Sequence, residues 1–189
     1  MGIPNEFHSG SQFEPILARN LDIIEEAFIF KTILLNFEDG FLLGPFPALT
    51  RFVKWFDPQL NKFVIQQLRF ANIFTVPKTK MKQRVGRAVF DLKILGYNLG
   101  IPDEDAFVKL PRFADVVALL RGKAYACVIN LKNAYRQWAT TRASYADFAY
   151  FKGSFVWIDT SLVFGIRNGC SVYQTMSTAS VLAIVTGHR

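Results

Sequence analysis

The sequence predicts an α+β fold, and three observations predict it. Stretches with helical apolar spacing stand near both ends, at residues 21–38 and 170–185. Between them lie short runs rich in Ile, Val, Phe and Tyr, punctuated by Pro, Gly and Lys. The two kinds of segment do not alternate strictly, which argues for α+β rather than a parallel sheet with crossover helices. Composition agrees: 51% hydrophobic residues suffice for a packed core, and 19 Phe favour strands and leave rings available for stacking.

Residues 1–14 read as a loose polar tail. Asn20 reads as an N-cap, with Asp22, Glu25 and Glu26 in the first turns, where the helix dipole favours acids. Leu21, Ile24, Phe28 and Leu35 share a face and Gly40 is a stop, so a helix is expected over 21–38. Gly44-Pro45-Phe46-Pro47 reads as a break opening an irregular stretch. Asp57-Pro58 reads as the cap of a second helix carrying Leu60, Phe63, Val64 and Leu68.

Ile73–Val76 is a strand stopped by Pro77; residues 78–84 form a basic loop, and Val85–Asp91 is the return strand. Residues 97–105 read as a loop, and Phe113, Val116, Val117 and Leu120 give a short helix ended by Gly122. Tyr125–Leu131 reads as a buried central strand, apolar on both faces. Tyr145–Phe151 and Ser154–Asp159 flank a hairpin turn at Lys152-Gly153. Cys170–Val185 reads as a helix with Val172, Met176, Ala179 and Ala183 on one side.

A net charge of +7 suits a partner with phosphates, although charge alone does not single one out. Cys127 and Cys170 make no disulfide framework, and His8 and His188 near opposite ends suggest no metal site. No signal peptide and no apolar run of membrane-spanning length is visible, so an intracellular location and no membrane partner are expected.

Two segments carry the functional reading: residues 129–137, Ile-Asn-Leu-Lys-Asn-Ala-Tyr-Arg-Gln, and residues 163–174, Val-Phe-Gly-Ile-Arg-Asn-Gly-Cys-Ser-Val-Tyr-Gln. In that order they resemble the first two palm motifs of a retroelement reverse transcriptase, written hydrophobic-Asp-Leu-Lys-x-Ala-Tyr-x-Gln and Pro-Phe-Gly-Leu-x-x-x-Pro-x-x-Phe-Gln. Val76-Pro77-Lys78 and Arg87–Asp91 resemble the family's fingers hairpin. Residues 40–46 and 97–120 are similar to the tyrosine-recombinase retrotransposon (DIRS) group.

The resemblance implies an RNA-directed DNA polymerase: a partial right-hand fold with fingers and part of the palm over 40–189, and an N-terminal tail and helix over 1–39. It implies deoxynucleoside triphosphate and an RNA or DNA primer-template as partners, and Mg²⁺ as cofactor. Such palms hold two Mg²⁺ on one Asp at a strand end and an Asp-Asp pair on a neighbouring hairpin, because hard cations want carboxylate oxygens.

By resemblance Asn130 stands at the first of these positions. It is the degenerate catalytic position and a weak or lost metal ligand, since an amide oxygen brings no negative charge. The Asp-Asp hairpin is expected after the second motif, and the sequence holds no Asp-Asp pair. The resemblance therefore implies a degenerate chain without polymerase activity of its own.

Other roles carried by resemblance are nucleotide binding for Lys80, Arg87, Tyr135, Phe164 and Gly165, with Arg87 gripping the triphosphate, Tyr135 under the sugar, and Phe164-Gly165 the turn where the backbone passes close to nucleotide and template. Lys78, Lys82, Arg84 and Arg167 are assigned to nucleic acid. Val163 and Cys170 replace the motif's two prolines, which loosens the expected turn. Two alternatives stay open beside this reading: a non-enzymatic nucleic-acid-binding protein, and a structural relic. Oligomeric state is not legible in the sequence.

Overall fold

The structure, a computed structural model, describes residues 21–78, 83–93, 95–108, 112–123, 125 and 133–186. It is a mixed α+β arrangement of small antiparallel sheets and helices. Helix α1 spans Ile23–Glu38. Its N-cap is Asp22; Asn20, the cap expected from the sequence, lies outside the described residues. The Asp22 carboxylate accepts from the backbone N–H of Ile24 and Glu25, at 2.9 and 3.0 Å, and the Glu25 carboxylate accepts from Asp22 N–H at 3.1 Å. This reciprocal box contributes about 1 kcal/mol. Gly40 ends the helix at φ +78, with Gly40 N–H on Phe37 O and Phe41 N–H on Asn36 O, the paired bonds of a Schellman stop.

Strand β1, Leu42–Pro47, corrects the expectation of an irregular stretch. It is an edge of a three-stranded antiparallel sheet, where prolines cost no ladder bond. Its register slips between Leu43 and Phe46, at the Gly44-Pro45 cis peptide. Strands β6 (Ala149–Lys152) and β7 (Phe155–Asp159) form the hairpin beside it, turning through Gly153 at φ +62. The first half of the expected Tyr145–Phe151 strand is instead a 3-10 turn over Arg142–Asp147.

A second correction concerns residues 52–67. Asp57-Pro58 does not cap a helix. Strands β2 (Phe52–Asp57) and β3 (Lys62–Gln67) pair in unbroken antiparallel register, and the Asp57 carboxylate accepts from Gln59 and Leu60 N–H to close the turn. Alternation decides the outcome. Phe52, Lys54 and Phe56 point outward, while Val53 and Trp55 are half-buried. A bond from Trp55 Nε1 to Gln66 Oε1, 2.7 Å, ties the inner face.

Strands β4 (Asn72–Lys78) and β5 (Gln83–Asp91) form the long hairpin. Pro77 does not stop β4; it sits where the register shifts between Val76 and Lys78, a bulge position that proline tolerates. The short helix α2, Asp103–Ala106, falls inside the expected 97–105 loop. Helix α3 spans Phe113–Leu120 and is followed by Gly122 at φ +74. Of the expected 125–131 strand only Tyr125 is described, and it is exposed. Helix α4 spans Gly169–Thr186.

The buried residues form two clusters, of which the larger joins α1 to β1, β5, β6 and β7. Ile29 and Ile33 of α1 pack with Leu42, Phe90, Leu92, Tyr150, Trp157 and Val163. Each such side chain stabilises by roughly 1.5–3 kcal/mol relative to exposure. Glu25 also accepts from Thr75 Oγ1 at 2.7 Å, which locks α1 onto β4. Among the described residues, no helix is long and apolar enough to cross a membrane.

Candidate functional site

Three distant segments meet where β5 passes the start of α4. From β5 comes Arg87, whose guanidinium lies 5.8 Å from the centre of the Phe164 ring. From a 3-10 turn over Ala134–Gln137 comes Tyr135. Asn133 enters that turn at φ +53, a left-handed conformation that Asn tolerates better than most residues. From the loop before α4 come Phe164 and Gly165. Tyr135 packs against Phe164 with ring centres 4.7 Å apart and against Tyr173 at 5.2 Å. Its hydroxyl lies 2.9 Å from Cys170 Sγ. Burial first, and then the Cys170 contact, push the Tyr135 phenol above its ordinary pKa, so it acts as a neutral ring with one hydroxyl.

Gly165 is what lets the loop lie down on β5. Its φ is +114, and a Cβ there would sit 2.0 Å from the Phe90 carbonyl oxygen. The adjacent Phe164 carbonyl accepts from Phe90 N–H at 2.8 Å. The close approach expected between this glycine and a nucleotide is therefore, in the structure, an approach to the protein's own strand.

Asn98, which the sequence reading did not single out, bridges the same loop. Its amide donates to Gly165 O and its carbonyl accepts from Arg167 N–H, both at 2.9 Å. Arg167 donates from Nη1 to Ile101 O at 2.9 Å and pairs with Asp103. Its guanidinium is thus held by the 98–103 segment. In the sequence Asn98 stands between Gly96 and Gly100 and opens the Asn-x-x-Ile-Pro phrase of the retrotransposon resemblance, which gives it no role toward the Gly165 loop.

Behind Tyr135 lies a buried ionic clamp. Arg136 pairs with Asp159 and donates from Nη1 to Ser161 Oγ at 3.1 Å. Asp159, at 0% exposure, also accepts from Ser161 N–H and Oγ–H at 3.1 and 2.9 Å. Burial pushes the Asp159 carboxyl above the usual range, opposed by Arg136 and Ser161. A cavity of about 1040 Å³ borders the cluster through Ile166 and Val172 and is walled by Trp55, Arg69, Trp138 and Asp147.

Of the remaining candidates, Asn130, Lys80 and Lys82 lie outside the described residues. Lys78 ends β4 and Arg84 is the second residue of β5. Among the described residues no group of three His, Cys, Asp or Glu is placed to hold a metal ion. Of the three carboxylates that would hold the Mg²⁺ pair by resemblance, the first position is Asn130, whose amide brings no charge.

No protein-family model matches the chain, and no curated protein matches it at a significant level. The functional reading therefore rests on the geometry and on the motifs themselves.

Proposed function

We propose that the chain is a fingers-and-palm part of a reverse-transcriptase-like fold. It holds a nucleotide or the end of a primer-template at the Arg87–Tyr135–Phe164 cluster without performing nucleotidyl transfer. One observation carries the reading. The three residues assigned to a single nucleotide pocket come from segments separated by tens of positions, and Arg87 and Tyr135 both lie within ring-contact distance of Phe164.

The chemistry is consistent with that assignment. Arg87 is exposed, and among the described residues it pairs with no carboxylate. A free guanidinium can grip phosphate bidentately. The Phe164 ring holds the cation by its face, and Tyr135 packs on Phe164 as an uncharged neighbour. Transfer itself needs charge that is missing from the sequence: Asn130 stands where a carboxylate is required, and there is no Asp-Asp pair. The non-enzymatic nucleic-acid-binding reading is favoured by the same facts wherever binding is retained without chemistry.

Two measurements test the proposal. Fluorescence titration with a labelled deoxynucleoside triphosphate should give saturable binding, weakened about tenfold or more by Arg87→Ala, since charge-assisted phosphate contacts are worth roughly 1.5–3 kcal/mol. Unchanged affinity in Arg87→Ala would remove the triphosphate role. A primer-extension assay with Mg²⁺ or Mn²⁺ should yield no product, and Asn130→Asp alone should not restore it. One carboxylate rebuilds only part of a two-metal site. Product above the no-protein control would overturn the inactivity.

A further inference from the structure

The hairpin β2–β3 turns one face to the solvent, and that face has a composition that calls for a partner. It carries Phe52, Lys54 and Phe56 from β2, opposed in register by Gln67, Ile65 and Phe63 from β3. Phe52, Phe63 and Ile65 are 59%, 62% and 66% exposed. Large apolar groups this open, side by side on one face, are uncommon on a surface without a binding role. No acid shares the face: Asp57, the nearest, belongs to the opposite face by the alternation of the strand.

We propose that this ribbon face is a stacking platform for single-stranded nucleic acid, separate from the Arg87–Tyr135 cluster and not dependent on it. Three features select that occupant. The Phe56 and Phe63 rings meet edge to face with centres 5.4 Å apart, so at least one ring offers a face to a base. Lys54 Nζ lies 4.6 Å from the Phe63 ring centre, which places a cation within reach of a phosphate flanking a stacked base.

Phe52 stands four residues from Phe56, about 13 Å along the strand, with Lys54 and Ile65 between them. Rings alternate with a cation along a flat ribbon, which is how sequence-tolerant strand binding is built: stacking on any base, charge along the backbone. The surplus of positive charge on the whole chain, +7, draws the same class of ligand.

The test is anisotropy of a short labelled oligothymidylate with the full chain at two salt concentrations. Phe52→Ala and Phe63→Ala should each weaken binding about tenfold. Lys54→Ala should weaken it less and reduce the log–log salt slope by about 0.7. Phe63→Tyr should bind as the parent does, since the ring is kept. These side chains are exposed, so their melting curves should match the parent and separate lost binding from lost fold.

Arg87→Ala should weaken oligothymidylate binding less than Phe52→Ala or Phe63→Ala does, because the cluster takes only the end of a strand. Loss on Arg87→Ala with none on the Phe variants would overturn the platform and leave the cleft reading intact. Anionic-lipid vesicles binding through Phe52 and Phe63 in place of the oligonucleotide would also overturn it. So would a dimer in sedimentation that Phe63→Ala dissolves.

Discussion

Arg136→Ala is expected to lower the stability of the fold by about 3–5 kcal/mol, read as the loss of unfolding free energy in urea. The cost does not come from the ion pair's own worth, which after desolvation is small. It comes from what remains: an Asp159 carboxylate at 0% exposure that, among the described residues, keeps hydrogen bonds from Ser161 alone. Two controls separate this from simple loss of packing. Asp159→Asn in the Arg136→Ala background should recover part of the loss, because the amide carries no charge. The two effects should be strongly non-additive, as for any pair in direct contact.

The loss should also depend on pH, with a definite sign. Burial raises the folded pKa of Asp159 above its unfolded value, and Arg136 is the main group holding it down. In Arg136→Ala the folded carboxyl therefore binds its proton more tightly than the unfolded chain does. A raised folded pKa contributes stability that is fully present below the unfolded pKa and is lost as pH rises through the folded one. The variant should be closest to the parent in mild acid and furthest from it at neutral pH. A destabilisation that grows on acidification would show that the uncompensated carboxylate is not its cause. Because Arg136 follows Tyr135 directly, the same clamp also fixes the turn that presents the Tyr135 ring. Partial unfolding there should reach the aromatic cluster first.

The sequence made some of this legible and concealed the rest for physical reasons. Helix α1 was readable to within two residues at its start, because its acids and its apolar period point the same way. The basic hairpin was readable because Ile73–Val76 and Val85–Asp91 are β-rich runs around a charged loop. Strand β3 and the turn before it read as a helix from the sequence. Leu60, Phe63, Val64 and Leu68 fall by chance at helical spacing, and Asp57-Pro58 opens a turn as readily as it caps a helix. The two-residue alternation of Phe52, Lys54 and Phe56 was the competing signal, and pairing with β3 decided it. Strand β1 was hidden by Pro45 and Pro47, which mark a break in a central strand but are harmless on a sheet edge.

Of the candidate site, Arg87, Tyr135, Phe164 and Gly165 were nameable from motif resemblance. Their supports were not. Asp159 ends a strand, and Arg136 fills an unspecified place in the first motif. Nothing in periodicity or spacing says that these two will meet in the interior. Asn98 is equally silent, since its two bonds to the Gly165–Arg167 segment depend on a chain crossing that only the tertiary fold creates. The second motif's glycine was legible as a position needing close approach, yet the partner of that approach, the Phe90 backbone, was not.

That approach carries the other large expectation. Gly165→Ala should destabilise the fold by on the order of 4 kcal/mol, near the upper end for a single methyl group. Two terms add. At φ +114 an L residue is strained by roughly 1–3 kcal/mol. The added Cβ would also stand 2.0 Å from the Phe90 carbonyl oxygen and 3.0 Å from its carbonyl carbon, and backbone cannot swing aside as a side-chain tip can. Relief requires lifting the loop from β5, which breaks the 2.8 Å bond between Phe90 N–H and Phe164 O. It also carries the Phe164 ring away from Arg87 and Tyr135.

Gly153→Ala is the matched control. It too sits at positive φ, +62, but nothing lies within 4 Å of its would-be Cβ, so it should show the backbone term alone, about 1 kcal/mol. The difference between the two variants isolates the steric term. If Gly165→Ala and Gly153→Ala melt alike, the loop does not rest on β5 as described. If Gly165→Ala is far less stable and also loses triphosphate binding more than proportionately, the turn is what holds the aromatic floor beneath Arg87.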